Sequence, residues 1–96
     1  MKTKQSVTEL LAEASMTYSK RNKVYGDNYK KIGAVLKALF PVQPELNTAD
    51  DCNRFALFMM LLVKMSRYAE SLSNGGHADS AHDMVVYAAM LEELTQ

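Results

Sequence analysis

Lys64 and Arg67 stand three residues apart at the end of an apolar run, Phe55 to Val63. Beyond Asn74-Gly75-Gly76 follow His77, Asp79, Asp83 and Tyr87. Residues three or four apart share a helix face, so a basic pair and an acidic pair fall on facing sides of one helical hairpin. Lysine and arginine can hold phosphate oxygens directly. Two carboxylates a turn apart can hold magnesium, which takes oxygen ligands and keeps several waters. Such an ion would bridge to a nucleotide pyrophosphate and activate a water. His77, beside two glycines, can hydrogen-bond a phosphate or a base. A plainer reading competes with each of these. The four charges can form an ion-pair lock that fixes helix register, as buried pairs commonly do. Ser80-Ala81-His82-Asp83 is also a capping-box variant that uses one acid. His77 and His82 are five apart, which is not the spacing of a zinc pair on one helix face.

Four helices are expected to position these residues. Ser6-Val7-Thr8-Glu9 fits a capping box, and Val7, Leu10, Leu11, Ala14 and Tyr18 recur at helical spacing. This helix fades near Asn22 to Tyr25. Tyr25-Gly26-Asp27 is a turn: glycine ends one helix and aspartate caps the next. Turn chemistry accounts for Gly26 and Asp27 but not for Tyr25. Ile32, Val35, Leu36 and Leu39 mark a second helix, stopped by Pro41 and Pro44. Thr48-Ala49-Asp50-Asp51 starts a third, from about Ala49 to Leu72, with its middle apolar all round and so buried. The fourth starts near Asp79 or Ser80 and runs towards Leu94. The expected fold is a single all-α domain over residues 1–96, a four-helix antiparallel bundle.

Composition sets outer bounds. Nearly half of the 96 residues are hydrophobic, at 48%, which excludes disorder as the main state. The seven methionines suit a surface that repacks, so a homo-oligomer is expected. Up to Lys37, eight cations stand against three acids, about +5; beyond it, three stand against eight, about −5. No aromatic residues interleave with a basic stripe, and no turn leads into a basic recognition helix, so nucleic acid is not an expected partner. The single cysteine, Cys52, excludes an internal disulfide and is expected to be buried and inert. Phe55–Val63 is too short to span a membrane, and no apolar signal core opens the chain. A soluble, cytoplasmic protein is expected.

Three pieces in order carry a resemblance: Arg21 to Ile32 around Tyr25-Gly26-Asp27, Leu62 to Arg67, and His77 to Ala88. Their layout resembles small domains common in phages and prophages. It is similar to the phage nucleotide-modification-associated domains and, more distantly, to the all-α MazG-like nucleotide pyrophosphohydrolases. The resemblance implies a MazG-like helical, oligomeric, nucleotide-handling protein of phage origin. It carries over to Tyr25, Gly26, Asp27, Lys64, Arg67, His77, Asp79, Asp83 and Tyr87. The chain departs from the MazG-like pattern in two places. Ser80 stands where an acid would precede Asp83, and Lys64-Met65-Ser66-Arg67 stands where the first acidic cluster would fall.

The expectation is therefore a nucleotide or phosphate-ligand binder whose cleft lies along the third and fourth helices. Lys64 and Arg67 would hold phosphate, with Tyr25 stacked on a base and Asp27, His77 and Tyr87 also at the ligand. Asp79 and Asp83 would orient the cations or hold one Mg2+. If the protein is an enzyme, the reaction is metal-assisted hydrolysis of a nucleoside triphosphate to monophosphate and pyrophosphate. The alternative is a small phage-type protein that binds and inhibits a host protein without catalysis.

Overall fold

The structure, a computed structural model, describes residues 4–96. Lys2, counted above among the cations of the first half, lies outside them. Four α-helices carry the chain, and no strand occurs among the described residues: α1 Val7–Tyr25, α2 Ile32–Leu39, α3 Ala49–Glu70 and α4 Ala78–Thr95. Short 3-10 turns, Asn28–Lys30 and Leu72–Asn74, sit in two of the connections.

Side-chain caps set the helix starts. The Ser6 hydroxyl accepts from the Glu9 backbone N–H at 3.2 Å and opens α1. Thr48 and Asp51 form a reciprocal capping box at α3. α4 starts differently from expectation, because its N-cap is His77 rather than Asp79 or Ser80. The His77 Nδ1 accepts the Ser80 backbone N–H at 3.2 Å and lies 2.6 Å from the Ser80 hydroxyl. An imidazole nitrogen thus satisfies a donor that an aspartate would otherwise take. Glycines set two of the ends. Gly26 leaves α1 at φ 62, and Gly76 precedes the α4 cap at φ 87. A Cβ on Gly76 would run into the Tyr68 ring and hydroxyl, so only glycine fits there.

α3 and α4 form an antiparallel hairpin. Arg54, near the start of α3, reaches the Leu94 carbonyl at 3.3 Å, while Lys64 meets Asp83 at 3.0 Å near the opposite end. Ser80 is 2% exposed at the seam, small enough to let the helices close up. Phe40 packs on Phe55 and Phe58, with ring centroids 6.0 and 5.6 Å away, and pins the end of α2 to α3. Lys31 to Glu70, at 2.6 Å, ties the α1–α2 turn to the end of α3.

The interior is thin. Phe55–Val63 is not buried all round as its composition suggests. Leu62 is the one buried hydrophobic residue among those described. α4 covers one side of α3, and the end of α1 and the Phe40 end of α2 cover only parts of the rest. Cys52, in the first turn of α3, is likewise exposed rather than buried. α1 shows this most. Every described residue up to Arg21 is exposed.

Candidate ligand cleft

Where α1 ends, the chain turns sharply and folds back on α3. The cleft so formed, of about 550 Å³, is lined by Tyr18, Arg21, Asn22, Tyr25, Asn28, Tyr29 and Arg67, with Thr17, Gly26, Ile32, Val63 and Ser66 completing the wall. Aromatic rings, two guanidiniums and two amides thus converge on one concave surface, and such a mixture marks ligand sites.

Local hydrogen bonds explain the turn. The Asn22 amide donates to the Tyr18 hydroxyl at 3.3 Å, the Gly26 carbonyl at 3.2 Å and the Asp27 carboxylate at 2.8 Å. Asp27 also pairs with Lys30 at 3.2 Å. The Asn22 amide first, and the Lys30 ammonium second, hold the Asp27 carboxyl below the usual carboxylate range. The same contact pushes Lys30 above the usual lysine value. Across the cleft mouth the Tyr18 and Tyr29 hydroxyls lie 3.4 Å apart with their rings edge to face. That hydrogen bond to Tyr29 raises the Tyr18 hydroxyl above the usual tyrosine range.

Asn28 is the exception to this satisfied network. It is only 9% exposed, and its Nδ2 is buried with no hydrogen-bond partner among the described residues. Burying an amide without a partner costs free energy, and an orphaned donor in a cleft wall calls for a ligand acceptor or an ordered water.

The residues singled out in the sequence divide between this cleft and its surroundings. Tyr25 and Arg67 line it together, and the Arg67 guanidinium lies over the Tyr25 ring, 4.8 Å from its centroid. One ring face is therefore already taken. The ring edge meets His77 with centroids 5.6 Å apart, so Tyr25 joins α1, α3 and the start of α4. Asp27 stands at the rim, bound to Asn22 and Lys30. Lys64, His77, Asp79, Asp83 and Tyr87 do not line the cleft. Lys64 is 14% exposed and pairs with Asp83, which is 42% exposed. The basic pair thus splits, with Lys64 going to the acid and Arg67 to the ring.

A magnesium ion finds little to hold it. Asp83 is engaged by an ammonium, neither acid lines the cleft, and no group of three His, Cys, Asp or Glu side chains is gathered among the described residues. Asp79 and Asp83 therefore do not gather, with other side chains, the oxygen ligands of a resident ion.

Tyr18, Arg21, Asn22, Asn28 and Tyr29 line the cleft without being expected at a ligand. Tyr18 reads as part of the apolar stripe of the first helix, and Asn28 and Tyr29 fall between the Tyr25-Gly26-Asp27 turn and the second helix with no role assigned to them. The available signal was that two further aromatic residues flank the Tyr-Gly-Asp turn within a few positions. No helix among the described residues is long and apolar enough to cross a membrane.

Residues 9–95 match the family DUF6378, described as a domain of unknown function. No curated protein and no solved structure matches the chain.

Proposed function

Because the chain belongs to the DUF6378 family, whose description assigns no activity, we propose its role from the cleft itself: it binds a nucleotide or a related phosphate-bearing ligand between the end of α1 and α3. The observation that carries this reading is the orphaned Asn28 donor in a wall that also presents three tyrosines and two arginines. Arg21 and Arg67 suit phosphate, since a guanidinium forks onto two oxygens at once. Tyr18 and Tyr29 offer rings at the mouth for a base, and the Asn28 amide suits a base or sugar oxygen. Lys64 pairs with Asp83, and His77 caps α4 with its ring against Tyr25.

Hydrolysis of a nucleoside triphosphate, and a phage origin, are supported only by the resemblance of the three sequence pieces to phage domains and MazG-like enzymes. A second reading, a phage-type protein that binds and inhibits a host protein, draws on the uncovered apolar side of α1.

Titration calorimetry against a panel of nucleoside mono-, di- and triphosphates, with and without Mg2+, tests the proposal. Saturable binding is expected, weakened at least tenfold in Arg21→Ala, a loss of about 1.4 kcal/mol. Arg21 is exposed, so that variant should melt like the parent chain. No binding at millimolar ligand would overturn the reading, and release of pyrophosphate would extend it to catalysis.

A further inference from the structure

The wall of the cleft carries charge of one sign. Arg21 and Arg67 line it, and no carboxylate among the described residues does. Neither guanidinium forms an ion pair among those residues. Two acids come close to the lining without joining it. Asp27, at the rim, is matched by Lys30 at 3.2 Å. The Glu70 carboxylate, which lies against Gly26, is matched by Lys31 at 2.6 Å. Both pairs are neutral, which leaves the two guanidiniums as the uncompensated charge, about +2. The remaining polar groups of the wall are uncharged amides and hydroxyls.

A magnesium nucleotide needs the reverse. Mg2+ gives up its waters reluctantly and is held by one or two carboxylates together with the phosphates of the ligand. In this cleft an ion chelated on a triphosphate would face guanidiniums instead, a juxtaposition of like charges. It would also occupy phosphate oxygens onto which the two arginines fork. A phosphate monoester meets neither obstacle. It carries about −1.5 to −2 at pH 7 on three acceptor oxygens, which matches the charge of the wall.

We infer, on the nucleotide reading of the cleft, that the phosphate enters free of metal and that the ligand is a nucleoside monophosphate. The Mg2+ implied by the MazG-like resemblance is then a competitor of Arg21 and Arg67 for phosphate oxygens. It opposes the binding of longer phosphate chains and leaves the monophosphate unaffected.

Titration calorimetry of the full chain with the monophosphate and the triphosphate of one nucleoside tests this, each without Mg2+ and with saturating Mg2+ at matched ionic strength. The monophosphate is expected to bind equally in both conditions, to within about twofold. The triphosphate is expected to bind about tenfold more weakly with Mg2+ than without it. With Mg2+ present, the monophosphate should be the tighter ligand of the two. In Arg21→Ala the effect of Mg2+ on the triphosphate should shrink, because one of the competing guanidiniums is gone. If that variant binds too weakly to measure, the response of the parent chain to Mg2+ decides. Triphosphate binding that tightens with Mg2+, or ignores it, would overturn the inference while leaving the nucleotide reading intact. An effect undiminished in Arg21→Ala would overturn it too, by tracing the action of Mg2+ to another part of the chain. If neither nucleotide binds in either condition, the nucleotide reading falls and the inference falls with it.

Discussion

At the scale of single residues, the caps are where sequence and energy connect most directly. Thr48→Ala removes the hydroxyl that accepts the Asp51 N–H and should cost about 1 kcal/mol in urea denaturation. His77→Ala should cost about the same by stranding the Ser80 N–H, and His77→Asn should restore most of it. Loss of ligand affinity in both variants alike would instead mark His77 as a contact residue. Two carboxyls contribute to the acid response. The backbone N–H groups of Asn47 and Thr48 hold Asp51 below the usual range, and Asn22 and Lys30 do so for Asp27. A lowered folded-state value stabilises the fold above the unfolded pKa, about 4, and is lost as pH falls through the folded one. Urea midpoints should therefore fall between pH 5 and pH 2, less steeply in Asp51→Asn. An unchanged slope in that variant would contradict the assignment.

At the scale of elements, Gly76 and Lys64 test the hairpin from two sides. Gly76→Ala puts a methyl on Tyr68 at a positive φ, and the backbone term alone should cost about 1–2 kcal/mol. Lys64→Met keeps the stem packed while removing the charge. Its partner Asp83 still reaches water, so the expected loss is under about 1 kcal/mol, against the ~3–5 kcal/mol of breaking a fully buried pair. A loss at the higher figure in equilibrium unfolding would make that pair the main register lock. The helices themselves were legible. Ser6, Thr48, Pro41 and the glycines are local signals, and α1 to α4 begin and end close to where those residues put them. The cleft was not. It depends on Gly26 reversing the chain so that Asn28 and Tyr29 return beside Tyr18, and on Arg67 choosing the Tyr25 ring over the acids of α4. Spacing along one helix carries no record of a choice made between helices. The thin interior was hidden for a similar reason: an apolar run shows that Phe55–Val63 needs covering, but not whether its own chain covers it.

At the scale of the whole molecule, the chain is a tight α3–α4 hairpin with α1 standing away from it, 46 Å in its longest dimension. The hairpin gives the cleft a firm wall in Val63, Ser66 and Arg67, and the end of α1 supplies the opposing wall of tyrosines and amides. The most direct test of the central claim is an amide NMR titration of the full chain with nucleoside triphosphate. The account predicts saturable shifts confined to two stretches, Thr17 to Tyr29 and Val63 to Arg67, with the Asn28 side-chain amide among the largest. Shifts centred on Asp79, Asp83 and Tyr87 instead, or none at millimolar nucleotide, would contradict it.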